Sequence, residues 1–166
     1  MHNEWQLSPE CSLRLAAQED EAFLWSLFCS ARPELGLLPL PPAQLTQLMR
    51  HQYELQQRGY RHQYPQAENW IIATQSGPVG KIMFERSSSV VHIIDFIITP
   101  AWRGRGVGRS ILIALKDYVD AKSGVLSLQV DRQNINAKRL YHQLGFVISQ
   151  SSDTHEFLVW SQNNHR

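Results

Sequence analysis

A short run of alternating arginine and glycine is the part of this sequence best suited to chemistry. Residues 103–110 read Arg-Gly-Arg-Gly-Val-Gly-Arg-Ser. They lie between an apolar stretch that predicts a buried strand and an amphipathic stretch that predicts a helix. Glycines let backbone N–H groups approach a ligand closely, and a helix N-terminus adds partial positive charge to that of the arginines. The segment therefore predicts a cradle for phosphate groups, with a solvated glycine-rich turn as the alternative.

Two familiar phosphate-binding loops fit this segment poorly. A P-loop places Gly-Lys-Ser or Gly-Lys-Thr at the start of its helix, and residues 100–110 contain no lysine. A dinucleotide loop has the spacing GxGxxG directly after the first strand, whereas here the spacing is GxGxG and Pro100 intervenes. Asp131 could stand where that fold places a ribose-binding acid. However, residues 132–166 are too few to complete a dinucleotide-binding domain.

A second segment points to a third kind of phosphate ligand. Residues 134–146 read Asn-Ile-Asn-Ala-Lys-Arg-Leu-Tyr-His-Gln-Leu-Gly-Phe. They are similar to the Asn-x-x-Ala-x-x-Leu-Tyr-x-x-x-Gly-Phe block of the GNAT family, the general-control-type N-acetyltransferases. The run Arg103-x-x-Gly106-x-Gly108 resembles the Arg/Gln-x-x-Gly-x-Gly/Ala signature of the same family. The resemblance is strong over residues 90–146 and weak before residue 68.

The resemblance implies an α/β fold and a coenzyme A ligand. We expect a single GNAT domain over residues 1–166, with a mixed, twisted sheet of about six or seven strands and about four helices. Acetyl-CoA would be the acyl donor and co-substrate. Its pantetheine arm would pair with the main chain of the central strand, and its pyrophosphate would accept N–H groups from the glycine loop. The positions so assigned to the cofactor are Phe96, Ile97, Ile98, Arg103, Gly104, Arg105, Gly106, Val107, Gly108, Arg109, Ser110, Asn134, Ala137 and Tyr141.

Two of these positions have a structural alternative. Tyr141 matches the family tyrosine that protonates the leaving thiolate, and a phenol with pKa near 10 is a suitable acid. The same residue could instead be a core aromatic on the helix face of Ala137 and Leu144. Asn134 matches an asparagine that contacts the cofactor, yet it is equally suited to capping the short helix that follows.

The base that deprotonates the acceptor amine is expected on the central strand. His92 stands where histone-type relatives carry glutamate and where relatives acting on arylalkylamines carry histidine, and a pKa near 6.5 suits the task. Asp95 is the rival, because a carboxylate in so apolar a strand must be paired or functional. Strict alternation along a strand places His92 on the face of Phe96 and Asp95 on the opposite face, with Ile93 and Ile97.

The function implied by the resemblance is acetyl-CoA-dependent N-acetylation, by direct attack of an amine of a small molecule or protein on the thioester. A non-catalytic acyl-CoA-binding or partner-binding module of the same fold is the alternative. Gln129 stands where some relatives carry a glutamate, and an amide cannot act as a base, which leaves water-relayed deprotonation as a third route. The side chains expected to face the acceptor are Gln52, Tyr53, Tyr60, His62, Gln63 and Tyr64.

The elements that must position these residues follow from periodicity and turn signals. The apolar stretch 90–99 predicts a central strand buried on both faces, and Gly59 is expected to end the second helix. The predicted strands are 11–17, 69–75, 79–85, 90–99, 125–131, 146–150 and 155–160. The predicted helices are 18–31, 43–58, 107–121 and 136–143, and 33–42 is a predicted loop.

Composition excludes several classes of protein. Apolar residues make up 43% and charged residues 19% of the chain, which is typical of a globular domain rather than a disordered one. The net charge of +1 gives no global field for nucleic acid or an anionic membrane. No 18-residue apolar run or signal-peptide core is present, and two cysteines provide neither a disulfide framework nor a CxxC metal motif. We expect a cytoplasmic monomer or homodimer without a metal.

Overall fold

A computed structural model describes residues 4–165 of the 166-residue chain. The predicted domain boundaries include residues 1–3 and 166, which lie outside the described part. The helices are α1 (Glu21–Ser30), α2 (Pro42–Gln63), α3 (Val107–Asp120) and α4 (Ile135–Gln143). The strands are β1 (Glu4–Gln6), β2 (Ser12–Leu15), β3 (Glu68–Thr74), β4 (Gly77–Arg86), β5 (Val90–Ile98), β6 (Val125–Asp131), β7 (Val147–Ser151) and β8 (His155–Ser161). Short 3₁₀ turns occupy Gln18–Asp20, Leu35–Leu37, Pro100–Trp102 and Gln162–His165.

The eight strands described within residues 4–165 form one mixed sheet in the order β1-β2-β3-β4-β5-β6-β8-β7. Every neighbouring pair is antiparallel except β5 and β6, which run parallel. The predicted α/β class is confirmed, and the expectation of six or seven strands falls slightly short. The additional strand is β1, which is three residues long and therefore too short to show a readable alternation.

Helices cover both faces of the sheet. The main core lies beneath α3 and α4, where Phe84, Leu126 and Leu158 are fully buried. A smaller cluster joins Leu24 and Leu27 of α1 to Ile71 on the opposite face. The buried stripe of α3 follows the predicted helical period and consists of Val107, Ile111, Leu112, Leu115 and Val119. Cys11 is buried in the main core and Cys29 is half-buried, and both are free thiols.

Helix α2 is longer than predicted. It runs for 22 residues and passes through Gly59, which was expected to end it. An exposed glycine within a helix costs only about 1 kcal/mol relative to alanine, and the hydrogen bond from Tyr64 N–H to the Tyr60 carbonyl carries the helix to its end. No helix within residues 4–165 combines the length and the apolar character needed to cross a bilayer.

The central feature of the sheet is a fork between β5 and β6. The two strands pair only from Val90–Val125 to Ile93–Leu128, and beyond those residues each strand keeps only its outer neighbour. In β5 the register against β4 shifts between Ile93 and Asp95, so that Ile94 is an additional residue without a partner. Such a bulge bends a strand and increases its twist. It explains why β5 is central as predicted and yet only half-buried from Ile94 to Ile98, rather than buried on both faces.

Candidate active site

The glycine loop has the geometry of an anion cradle. Gly104 and Gly106 adopt φ values of +75° and +83°, a left-handed conformation that favours glycine. Gly106 is the N-cap of α3, and the first main-chain bond of that helix runs from Ser110 N–H to the Gly106 carbonyl at 3.0 Å. A helical N–H group bonds to the carbonyl four residues before it. The N–H groups of Val107, Gly108 and Arg109 therefore have no such partner within the helix. These donors and the helix dipole together suit a phosphate.

The third glycine joins the loop to the central strand. A Cβ atom at Gly108 would lie 3.3 Å from the Phe96 ring, so a larger residue would push the start of α3 away from β5. Arg103 adds a second connection, because its Nε donates to the Ile98 carbonyl at 3.0 Å. The signature arginine thus ties the loop to the end of β5.

The other charged and polar side chains of the loop have distinct surroundings. The Arg105 guanidinium lies 4.9 Å from the centre of the Trp102 ring, a cation–π contact, and Arg109 is exposed in the first turn of α3. The Ser110 hydroxyl donates to the Gly106 carbonyl at 3.0 Å. Val107 buries its side chain in the core, so only its main chain is available to a ligand.

The open edge of β5 presents main-chain groups to the fork. Thr99 N–H donates to the Val79 carbonyl at 2.8 Å, so Thr99 faces β4. Because successive residues of a strand direct their N–H and C=O groups to alternate sides, Ile97 also faces β4, whereas Phe96 and Ile98 face the fork. The assignment of all three residues to the pantetheine arm stays a prediction. Of the three, Phe96 and Ile98 present main-chain groups to the fork, and the Ile98 carbonyl accepts a bond from Arg103.

A cleft of about 150 Å³ lies within the fork. Its wall includes Tyr141 of α4, which is 9% exposed, and burial raises the pKa of this phenol to about 12. The ring also packs edge-on against Phe146 at 5.6 Å, so the core role and the cleft position of Tyr141 coexist. The remaining residues of the lining are Ile93, Ile94, Asp95, Phe96, Leu128, Gln129, Val130, Asp131 and Asn134.

Asn134 performs the capping role that the sequence left open. Its Oδ1 accepts the N–H of Ala137 at 3.3 Å, and it is the N-cap of α4. Asn134 is also part of the cleft lining, and its amide nitrogen carries two further donors. Ala137 is half-buried and packs against the main core, which lets α4 lie close to the fork.

His92 occupies the opposite face of the sheet from Phe96, so the predicted shared face is wrong. The His92 ring lies 5.7 Å from Tyr64 at the end of α2 and 5.8 Å from Phe157 of β8. Phe96 instead packs against Gly108 on the α3 side. The physical reason is the bulge at Ile94, because an additional residue shifts the alternation of everything that follows it.

The same bulge brings Asp95 onto the face of His92. Asp95 Oδ2 lies 3.1 Å from the Nζ of Lys81, which is almost fully buried. The pKa of Tyr60 on α2 is raised mainly by burial and next by the negative charge of Asp95. The prediction that Asp95 shares a face with Ile97 is confirmed, since Ile97 packs on the α1 side, whereas its placement with Ile93 is wrong. Asp95 is thus a paired carboxylate, one of the two options that the sequence allowed.

The environment of His92 favours the neutral imidazole. Burial lowers the pKa of His92 below its ordinary value of 6.5, and the negative charge of Glu85 opposes that shift. The Nδ1 atom lies 2.8 Å from the hydroxyl oxygen of Ser127. A neutral imidazole with one nitrogen held in this way is suited to accept a proton at the other.

The residues expected to face an acceptor divide into three groups. Tyr60 and Tyr64 lie over the sheet near Met83, around a cleft of about 320 Å³. Tyr53 is buried instead and donates its hydroxyl proton to Glu21 at 3.0 Å, so its role is to join α2 to α1. The others are exposed on α2 and are Gln52, His62 and Gln63.

Three contributors to the site were not identified from the sequence. Lys81 pairs with Asp95, and Ser127 and Phe157 contact His92. Lys81 could have been found, because a lysine inside the apolar strand 79–85 needs an acidic partner. Ser127 and Phe157 carry no such signal, since serine and phenylalanine are ordinary residues in alternating strands.

Acetyl-CoA fits these residues by the chemistry of the donors that they present. The loop N–H groups and the start of α3 suit its pyrophosphate, and the open edge of β5 suits the amide groups of its pantetheine arm. A family profile described as the acetyltransferase (GNAT) family matches residues 36–146. The chain belongs to this family. The resemblance predicted from the two short sequence blocks is thereby confirmed, and acetyl-CoA is the acyl donor that the family uses.

Individual relatives are distant or cover only part of the chain. A segment of 56 residues is 43% identical to N-alpha-acetyltransferase RimI of Mycobacterium tuberculosis, and covers 34% of this chain and 33% of that protein. The chain thus matches only a third or less of the length of its curated relatives. The PaiA N-acetyltransferase of Thermoplasma acidophilum, solved with coenzyme A, superposes with a TM-score of 0.67 at 15% identity, over 91% of this chain and 98% of that one. The spermidine N-acetyltransferase of Vibrio cholerae, solved with CoA and spermine, gives 0.64 at 16% identity, over 95% and 99%. At such identities these two structures establish the fold.

Proposed function

We propose that this protein transfers the acetyl group of acetyl-CoA to an amine of a small molecule or protein, and that residues 1–166 act as one acetyltransferase domain. The observation that carries the proposal is the fork. The fork brings together the unpaired edge of β5, the N-terminus of α3 and the buried Tyr141. His92 lies on the other face of the same strand. Family membership supports the same reaction.

The reaction assigns one role to each side of β5. The acceptor amine forms a bond to the thioester carbonyl carbon, the carbon–sulfur bond breaks, and the thiolate leaves with the electron pair. The amine must lose a proton, and we assign its acceptance to His92, because burial lowers the pKa of His92 and so favours its neutral form. The products are the N-acetylated amine and free coenzyme A.

Tyr141 is proposed to stabilise the leaving sulfur. Its pKa of about 12 keeps the phenol protonated and able to donate a hydrogen bond, but makes full proton transfer to a thiolate less favourable than the ordinary value near 10 suggests. The burial that raises the pKa of the phenol would also raise that of a thiol in the same cleft. Donation therefore remains feasible, since the difference between the two pKa values decides its direction.

Asp95 is the less suitable base. Its carboxylate is paired with Lys81 at 3.1 Å, so accepting a proton would leave a buried ammonium without a counter-charge. The ion pair of Asp95 and Lys81 is better suited to a structural role beneath Tyr60, on the acceptor side of the sheet.

Location in the cytoplasm and assembly as a monomer or homodimer remain predictions.

A screen for thiol release from acetyl-CoA against amines, polyamines and peptide N-termini tests the proposal. We expect at least one amine to accelerate thiol release, and Tyr141→Phe to slow that reaction without preventing coenzyme A binding. Binding of acetyl-CoA without amine-dependent release across the whole screen would favour the non-catalytic acyl-CoA-binding alternative.

A further inference from the structure

A buried hydroxyl group lies beside the proposed base. Ser127 is 5% exposed and stands directly opposite His92 where β5 and β6 still run in parallel register. Its neighbours Leu126 and Leu128 point into the main core on the other face. The hydroxyl oxygen lies 2.8 Å from His92 Nδ1, so the only polar group of Ser127 beyond the main chain is directed at the imidazole.

Three contacts fix the orientation of the His92 ring. Phe157 stacks on it with an interplanar angle of 20° and a centroid distance of 5.8 Å. Tyr64 covers it from the end of α2 at 5.7 Å and 37°. The two aromatic rings restrict the plane of the imidazole, and the bond to Ser127 determines its rotation within that plane. The Nε2 atom consequently points away from Ser127.

The direction of the hydrogen bond decides whether His92 can be a base. If the serine hydroxyl donates to Nδ1, then the neutral imidazole carries its hydrogen on Nε2 and has no lone pair there to accept a proton. If Nδ1–H donates to the serine oxygen, Nε2 is free. In the imidazolium form both nitrogens carry hydrogen, so Ser127 must then be the acceptor. Only the second arrangement keeps one geometry through both protonation states.

We propose that Ser127 is a positioning residue that accepts a hydrogen bond from Nδ1–H of His92 and so keeps Nε2 free to take the proton of the acceptor amine. The proposal rests on the proposed function and names a residue that acts through the base. It requires no movement, because the buried serine and the imidazole already lie within hydrogen-bond distance.

Charged and titratable groups around His92 are few among the described residues. Glu85 is its partner on β4 and opposes the lowering of its pKa. Tyr64 approaches from the end of α2, and β6 and β8 contribute the uncharged Ser127 and Phe157. Asp95 lies further along β5, where it is paired with Lys81. Because the imidazolium donates more strongly than the neutral ring, removing the serine acceptor should lower the pKa of His92 further.

The direct test is the tautomer of His92 in the unmodified protein. Nitrogen-15 NMR of the imidazole distinguishes a protonated from an unprotonated ring nitrogen, and a His92→Gln variant assigns the signal among the seven histidines. We expect hydrogen on Nδ1 and none on Nε2 above the pKa. Hydrogen on Nε2 would overturn the proposal, and this result does not depend on whether an acceptor amine has been found.

A matched pair of variants tests the functional consequence. Ser127→Thr keeps the hydroxyl group. Ser127→Val introduces a side chain with nearly the volume of threonine but without the hydroxyl group. We expect the valine variant to lose about 10-fold or more in kcat/KM, which is part of the roughly 10²–10⁴-fold that acid–base catalysis contributes. It should also show a tautomer mixture and an inflection shifted to lower pH. The threonine variant should retain the parent tautomer and pH profile. Equal tautomers and equal pH profiles in both variants, each with an unchanged melting shift on adding acetyl-CoA, would refute a positioning role.

Discussion

Replacement of Gly106 by aspartate should weaken coenzyme A binding strongly without unfolding the protein. A Cβ atom at Gly106 meets no atom within 4 Å, so no steric clash with the protein is expected. The left-handed φ of +83° costs a non-glycine residue roughly 1–2 kcal/mol, and aspartate is among the residues that tolerate it best. The new carboxylate would lie among the loop N–H groups and replace attraction for a phosphate by repulsion.

The size of the effect follows from Coulomb's law. At about 5 Å and an effective dielectric constant of about 40, two like unit charges repel by about 1.7 kcal/mol, so a pyrophosphate with two charges loses about 3 kcal/mol, or about 10²-fold in affinity. At a concentration about 100 times the parent Kd, the ligand stabilises the parent protein by about 2.7 kcal/mol, which should fall to about 0.4 kcal/mol in the variant.

Gly77→Asp is the matched control. Gly77 also has a positive φ, at +112°, with no atom within 4 Å of an added Cβ, and it is the first residue of β4, next to the β3–β4 turn. Thermal unfolding with and without acetyl-CoA, together with calorimetric titration, measures both variants. We expect the control to bear the backbone cost and to keep its ligand-induced shift. A folded Gly106→Asp protein with undiminished coenzyme A affinity would refute the assignment of the loop to the pyrophosphate.

Three further predictions concern the two sides of β5. Tyr141→Phe should keep coenzyme A affinity and lower kcat by about 10²-fold, whereas a kcat within about twofold of the parent, with chemistry rate-limiting, would reduce Tyr141 to packing. His92 is active when neutral and its pKa is lowered by burial, so kcat/KM should rise with pH through an inflection below 6.5 and then level off. His92→Ala should remove that inflection. If the inflection persists in His92→Ala and is lost in Asp95→Asn, Asp95 is the base. Asp95→Asn should lower the free energy of unfolding by about 3 kcal/mol, because it leaves Lys81 buried and unpaired. Adding Lys81→Met should recover part of that loss, measured by chemical denaturation. No recovery in the double variant would contradict the pairing.

The sequence predicted the loop and the elements around it closely because local signals agree there. Strand 125–131 matches β6 at both ends, and the helix predicted at 107–121 matches α3 to within one residue. Gly106 has a φ that favours glycine, so a local rule was sufficient. Two short blocks also identified the family. Residues 103–108 form the loop and the start of α3, and residues 134–146 contain α4 and its N-cap.

The faces of β5 could not be predicted from local pattern. Period-two alternation is reliable only along an uninterrupted strand, and nothing in the run Val-Val-His-Ile-Ile-Asp-Phe-Ile-Ile marks Ile94 as the bulged residue. The bulge follows from pairing with β4 and from the divergence of β6, which are tertiary facts. The placement of His92 and Asp95 on a common face, and the contact of His92 with Ser127, therefore became visible only in the structure.

Acetyl transfer to an amine at the fork is tested most directly by following both products of the reaction. Acetyl-CoA and a responding amine are mixed with the protein, and free coenzyme A and N-acetylated amine are quantified by mass spectrometry in the same samples over time. We predict that the two products appear in equal amounts and that both fall together in Gly106→Asp at an acetyl-CoA concentration near the parent Kd. Release of coenzyme A without an N-acetylated product, or binding of acetyl-CoA with no release in the presence of any amine, would contradict the account.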